Sequence, residues 1–264
     1  MTDVPGGRMQ VEGSVVVVTG GASGLGEAAA RRFHALGARV VIFDRDAERA
    51  KGIVAELGRR AETVDGDVLS EADTQRVIDV AAELGGVRIL IACAGGGVGG
   101  GRTVDRSGAP HDLESFAATV QLNVVGTFNS LRLAAAAMAT LDPLEDGERG
   151  AIVTTASIAG YEGQIGQIAY GSAKAALIGM TLIAARDLAA IGVRVNCIAP
   201  GTMATRAWDR APEKLRAELE RKVPFPQRFG HPEEFGALAE HLVTNRYING
   251  QVVRLDGAIR FDPK

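Results

Sequence analysis

Ser14-Val15-Val16-Val17-Val18-Thr19-Gly20-Gly21-Ala22-Ser23-Gly24-Leu25-Gly26 is the stretch that decides the fold. Its first half is a continuous β-branched run, the pattern of a strand covered on both faces. Glycines at 20, 24 and 26 then permit a sharp turn, and the residues beyond read as helix as far as Leu36. A strand that ends in glycines and opens a helix offers backbone amides and the positive end of the helix dipole to an anion. A pyrophosphate suits such a turn. The spacing is G-x-x-x-G-x-G, not the commoner G-x-G-x-x-G, but the physics is shared.

The same alternation continues outward. Strands are predicted at Arg39–Phe43, Ala61–Val64, Val87–Ala92, 151–156, 193–198 and 252–255. Helices are predicted over Asp46–Leu57, Glu71–Leu84, Ser115–Thr140 and 169–190. Continuous apolar strands separated by helices imply an α/β fold: a single-domain, Rossmann-like, doubly wound parallel sheet with helices on both faces. No linker divides residues 1–264, so one domain is expected. Two irregular stretches, Gly95–Pro110 and Gly201–Gly230, are candidates for loops over a site, the second for a substrate loop.

Composition narrows the function. The chain has 264 residues, 46% hydrophobic, with a formal net charge of −3 and no basic block. Nucleic acid is therefore not an expected partner. Apolar runs fall short of a spanning helix, so membrane insertion is not expected. Met1–Gly13 carries no leader pattern, and Cys93 and Cys197 read as buried free thiols; together they suggest a cytoplasmic protein. The four histidines are scattered, and no His/Cys cluster has metal-ligand spacing.

Two further positions belong with the glycine turn. Asp44 closes the second strand, eighteen residues past Gly26. A carboxylate there can accept both adenosine-ribose hydroxyls and repel a 2′-phosphate, which favours NAD over NADP. Arg45 follows, and the alternative is that Asp44 caps the next helix. Asp67-Val68 follows the third strand and could meet the adenine, although alone it is a loop aspartate.

Chemistry is suggested by Tyr170 and Lys174, four residues apart on a predicted helix and hence on one face. A lysine beside a phenol stabilises the phenolate and lowers its pKa from the ordinary ~10. Such a tyrosine exchanges a proton with an alcohol. Ser157, thirteen residues earlier, ends the run Ala151–Ala156 and could hydrogen-bond the same substrate oxygen. Gln164 lies between them, as a pocket residue or equally as a surface loop residue.

Taken together, these parts resemble the short-chain dehydrogenase/reductase family over roughly residues 10–260. The resemblance implies cofactor binding by Thr19, Gly20, Ser23, Gly24, Leu25 and Gly26. It implies a catalytic tetrad of Asn123, Ser157, Tyr170 and Lys174, with Asn123 holding a water in a proton relay. It adds Cys93, Ala94 and Gly95 after the fourth strand, and Pro200, Gly201 and Thr205 after the sixth, to the cofactor site. The family's usual Asn-Asn-Ala-Gly reads Ala92-Cys93-Ala94-Gly95 here, which implies weaker local support of the sheet rather than lost chemistry.

Glu162–Gln167, Val223–Pro226 and Arg254–Arg260 resemble a narrower subgroup that acts on 3-hydroxyacyl-CoA esters and some hydroxysteroids, uses NAD and forms homotetramers. The substrate oxygen would then meet Ser157 and Tyr170. Met203, Trp208, Leu215 and Phe225 are candidates to touch an acyl chain, and Arg102 and Arg106 to meet CoA phosphates. A 17β-hydroxysteroid dehydrogenase and a 3-oxoacyl-ACP reductase are the alternatives within the chemistry. A non-catalytic nucleotide-binding scaffold is the alternative outside it.

Overall fold

The computed structural model describes residues 9–98, 100–208 and 212–263. Residues 1–8 of the stretch read for a leader, Gly99 in the first irregular loop, 209–211 in the second, and Lys264 lie outside them.

Seven parallel strands form one sheet in the order β3-β2-β1-β4-β5-β6-β7. They are β1 (Val15–Thr19), β2 (Arg39–Asp44), β3 (Ala61–Asp65), β4 (Val87–Ala92), β5 (Gly150–Thr155), β6 (Val193–Pro200) and β7 (Val252–Leu255). The helices are α1 (Gly24–Ala35), α2 (Ala47–Leu57), α3 (Glu71–Glu83), α4 (Leu113–Val120), α5 (Gly126–Ala139), α6 (Ile168–Asp187), α7 (Glu213–Arg221) and α8 (Pro232–Thr244). The valine run of β1 explains the two layers directly. Val16 and Val18 pack with Phe33, Ile42 and Phe235 on one face, while Val15 and Val17 pack with Phe43, Val77 and Leu131 on the other. Successive side chains point to opposite faces, so a strand clothed by helices on both sides needs apolar residues at every position. Strand order reverses between β1 and β4, and the crevice at such a switch point is where open α/β sheets bind ligands.

Three expectations are corrected. The helix predicted over Ser115–Thr140 is interrupted by a π-helical turn, Gln121–Val125, in which the Gly126 amide donates to the Gln121 carbonyl. The stretch Gly201–Gly230 is not wholly irregular, because it contains α7. Its charged sequence Glu213–Arg221 has no fully buried residue, so it carried little hydrophobic signal. Finally, α6 has the length of a membrane span and a mean hydropathy of 1.5. It is apolar because it lies against the sheet on one side, with Leu177 and Ala185 buried, and leaves Leu182 and Ile183 exposed on another.

At the N-terminal edge of the sheet, the buried Glu148 accepts from Arg194 at 2.8 Å and from Arg246 at 3.0 Å. Arg194 also donates to the carbonyls of Leu242 and Ile248, which fastens the end of α8 to β6. This leaves the opposite, C-terminal edge to the glycine turn and the loops.

Candidate active site

A cavity of about 590 Å³ runs along the C-terminal ends of β1, β2, β4, β5 and β6. That is within the usual size of ligand pockets. Its nucleotide end is built by close backbone approach. Gly20 and Gly24 have φ of 65° and 53°. A Cβ on Gly26 would stand 2.1 Å from the Gly20 carbonyl oxygen, and one on Gly20 would stand 2.7 Å from the Ala94 nitrogen. Ser23 is the N-cap residue of α1, yet its hydroxyl makes no capping bond. It lines the cavity with Gly20, Gly24, Leu25 and Gly26. A turn closed this tightly, with its serine uncommitted at a helix N-terminus, fits a dinucleotide pyrophosphate.

Thr19 departs from its expected role. It is 2% exposed and stands outside the cavity wall, its hydroxyl accepting from the Ala94 amide at 3.2 Å. It holds the β4 loop to β1. That bond, with the Cys93 amide donating to the Thr19 carbonyl at 3.1 Å, supports the segment where the usual asparagine is missing.

Asp44 ends β2 and borders the cavity. One carboxylate oxygen accepts from the Ala22 amide at 2.9 Å and the other from the Asp46 amide at 3.0 Å. The residue that caps α2 is Asp46, which accepts from the Arg49 amide. Asp67 and Val68 line the cavity beyond it. Asp67 lies 3.8 Å from the Arg45 guanidinium and accepts from the Leu69 amide. Val68 is held by Asn129, whose side-chain amide donates to its carbonyl at 2.9 Å. A Cβ on Gly126 would stand 2.6 Å from the Val68 side chain, so this glycine admits the valine.

Cys93, Ala94 and Gly95 form the middle of the wall. Cys197 is buried as expected, but Cys93 is only half-buried. The Cys93 sulfur faces inward, accepts from the Thr155 hydroxyl at 3.4 Å, and has its pKa raised by desolvation to about 11. Asn123 is buried within the π-helical turn. Its side-chain amide donates to the carbonyls of Gly96 (2.7 Å) and Thr119 (2.8 Å), and its oxygen accepts from the Gly96 amide (3.1 Å). Gly95 passes between Asn123 and Lys174, since a Cβ there would be 2.7 Å from one and 3.3 Å from the other.

Ser157, Tyr170 and Lys174 meet in the same cavity. The Ser157 oxygen accepts from the Ala159 amide at 3.1 Å, at the start of a short 3-10 turn after β5. Lys174 is 5% exposed, and its ammonium donates to the Thr155 carbonyl at 2.8 Å. It stands 5.6 Å from the centre of the Tyr170 ring. Desolvation lowers its pKa to about 8. The expected depression of the Tyr170 pKa is not found. Burial raises it, and a hydrogen bond with Ser157 offsets part of the rise. The lysine ammonium is bonded to the Thr155 carbonyl, and the same burial that raises the phenol pKa lowers that of the lysine.

Pro200, Gly201 and Thr205 line the cavity's far side with Met203 and Trp208. A Cβ on Gly24 would be 3.3 Å from the Thr205 methyl, so the loop after β6 closes directly onto the glycine turn. Leu215 and Phe225 are outside the wall, and Phe225 is 82% exposed. Gln164 also stands outside it. Its side chain donates to the Asp262 carbonyl at 3.1 Å and borders a second, shallower cavity of about 470 Å³ with Arg102. Both Arg102 and Arg106 are exposed. The residues missed from sequence include Gln167, Leu122, Arg206 and Phe261, all on the wall. Gln167 lay inside a stretch already singled out; Phe261, near the chain end, gave no local signal.

A parallel sheet whose switch-point crevice joins a pyrophosphate turn to a Ser/Tyr/Lys cluster defines an oxidoreductase dependent on a nicotinamide cofactor. Residues 14–216 match the family model described as short chain dehydrogenase, and the chain belongs to that family. It is 42% identical to 3-hydroxyacyl-CoA dehydrogenase type-2 of Bos taurus over 96% of this chain and 97% of the relative. It is 41% identical to the Drosophila melanogaster protein of the same description over 96% of this chain and all of the relative. The crystal structure of a 3-hydroxyacyl-CoA dehydrogenase type-2 from Mycobacterium avium superposes with a TM-score of 0.93 at 51% identity, covering 95% of this chain and 97% of that one.

Proposed function

We propose that this enzyme oxidises 3-hydroxyacyl-CoA esters to 3-oxoacyl-CoA with NAD. The observation that carries the reading is the convergence of Ser157, Tyr170 and Lys174 with the glycine turn and Asp44 along one cavity. The relatives' substrates support the choice of ester. NAD is favoured because Asp44 presents a carboxylate at the end of β2, while the nearby Arg45 guanidinium is turned toward Asp67.

When bound, the oxidised nicotinamide supplies a hydride acceptor and a positive charge. The remaining work falls to the chain. Ser157 donates to the substrate oxygen and fixes its position. Tyr170 removes the hydroxyl proton as the carbinol carbon is oxidised. Because the protein alone raises the phenol pKa, forming the phenolate depends on further positive charge in the cavity beyond Lys174. Lys174 would hold the nicotinamide ribose and pass the proton on, and Asn123 holds the Gly96 segment in place beside it, where a water of the relay would sit. Thr205 would meet the carboxamide.

We also propose a homotetramer in the cytoplasm. Val125, Phe128, Leu182 and Ile183, all roughly half-exposed or more, supply apolar outer surface on the helices of one face. Neither cysteine is paired, as in a reducing compartment.

The test is NADH formation with 3-hydroxybutyryl-CoA, its pantetheine-truncated thioester and a 17β-hydroxysteroid, each with NAD and NADP. Highest kcat/KM for the CoA ester with NAD is expected. Preference for the steroid overturns the ester reading, and preference for NADP overturns the role of Asp44. Equal rates with both thioesters remove Arg102 and Arg106 from substrate recognition.

A further inference from the structure

Three stretches far apart in sequence, Glu162–Gln167, Val223–Pro226 and Arg254–Arg260, converge at one place. Arg254 donates to both Glu162 carboxylate oxygens at 2.7 and 3.2 Å, and its guanidinium lies 5.3 Å from the centre of the Tyr161 ring. Asp256 pairs with Arg254 at 2.6 Å and Arg260 at 3.2 Å. The Phe225 amide donates to the Gly257 carbonyl at 3.3 Å. Gly257, with φ 57°, passes so close to Val223 that a Cβ would stand 2.5 Å from it. Val223, Ile158 and Ile259 form a small buried cluster, with Phe261 packed against it.

The chain end is laid onto the loop between Ser157 and Tyr170. The Phe261 amide donates to Glu162 at 3.0 Å, the Ile165 amide to the Pro263 carbonyl at 2.9 Å, and Gln164 to the Asp262 carbonyl. Arg254 holds the Glu162 carboxyl below the usual range, so the clamp stays charged at neutral pH. Phe261 thereby reaches the cavity wall with Ser157, Tyr170, Met203 and Trp208. It packs against the cluster that contains Ile158, the residue after Ser157, and β5, which leads to Ser157, is separated from β2 and Asp44 by β1 and β4.

We propose that Phe261 is the residue that limits the length of the chain attached to the carbinol carbon, and that Glu162 is a positioning residue that holds it there. This rests on the alcohol-oxidising reading of the same site. An aromatic ring on the wall of the cavity that holds Ser157 and Tyr170 excludes chain atoms from the space it fills, and each methylene excluded or admitted changes kcat/KM by about tenfold or more.

The experiment measures kcat/KM with the full-length protein for short, medium and long 3-hydroxyacyl thioesters, and in parallel for a homologous series of unbranched secondary alcohols. Phe261→Ala should raise the long-to-short ratio by about tenfold or more, and Phe261→Trp should lower it. Glu162→Gln should move the ratio in the direction of Phe261→Ala, through KM rather than kcat. Affinity for NADH, read by fluorescence, should stay near that of the unmodified protein. Phe261→Leu serves where the alanine variant does not fold. A ratio that stays within about twofold in the folded Phe261 variants, or an equal loss at every chain length, overturns the proposal. Oxidation of the alcohols but not the thioesters overturns the ester reading alone, and the alcohol series then decides the role of Phe261. Turnover of neither series overturns both.

Discussion

The two ends of the cavity are built in different ways. The nucleotide end is set by backbone. Gly20, Gly24 and Gly26 close a turn with no room for a Cβ on Gly26, and buried bonds from Thr19 and Asn129 hold the neighbouring segments. The other end is set by side chains and ion pairs that join segments some ninety residues apart, such as Glu162 and Arg254. A pyrophosphate held by backbone amides leaves little freedom in the turn that supplies them. A substrate wall assembled from side chains can be changed one residue at a time without moving the sheet. Between them stand Ser157, Tyr170 and Lys174, which answer to both.

The largest expected effect lies at that junction. Tyr170→Phe removes the phenol oxygen and keeps the packed ring, so kcat should fall by at least ~10²-fold with NADH binding retained. Near-normal turnover in the folded variant would remove Tyr170 from the chemistry. Next, Gly26→Ala drives a methyl onto the Gly20 carbonyl and should cost about 1–3 kcal/mol in stability or NADH binding. The exposed Phe225→Ala should cost less than about 0.5 kcal/mol. Equal costs in thermal unfolding would mean that the tight approach of Gly26 to Gly20 counts for no more than an exposed ring outside the cavity.

Asp44→Asn tests the nucleotide end more finely. It keeps an acceptor for the Ala22 amide while removing the charge, so the ratio of kcat/KM for NAD over NADP should fall about tenfold. An unchanged ratio would show that the carboxylate does not select the cofactor. A further effect concerns Lys174, whose pKa lies near 8 in the folded protein against the ordinary 10.5. Below about pH 8 both folded and unfolded chains keep the proton. Between about 8 and 10.5 the unfolded chain binds more protons, so stability from this group rises with pH. The unfolding free energy of the unmodified protein minus that of Lys174→Met should therefore climb across this window in denaturant titrations. A flat difference would mean that the lysine's pKa is not lowered by folding.

Much of this was legible in the sequence where the determinants are local. The valine run, the glycine turn, Asp44 and the Ser157/Tyr170/Lys174 spacing each act within one or two elements, and of the turn residues assigned to the cofactor, Gly20, Ser23, Gly24, Leu25 and Gly26 line the cavity while Thr19 does not. The hidden parts depend on remote partners. Nothing near Asn129 indicates that it holds Val68 across sixty-one residues, and nothing near Phe261 indicates that Glu162 receives its amide. The phenol pKa was misread for a related reason. Four-residue spacing puts two side chains on one face, but where the ammonium points is decided by the Thr155 carbonyl on another strand.

The π-helical turn at Gln121–Val125 also has a meaning for insertions and deletions. Removing one residue from an ordinary helix swings everything beyond it by about 100°, which tears a packed helix from its sheet. A π turn already carries one residue in excess of the α-helical repeat. Deleting Leu122 should therefore let α4 and α5 join as one regular helix with both flanks in their present orientation, leaving the chain folded but Gly96 without its grip from Asn123. Circular dichroism and melting of that deletion, beside deletion of Ala134 from the middle of α5, make the comparison. If the first unfolds as readily as the second, the extra residue is not a seam where length can be absorbed.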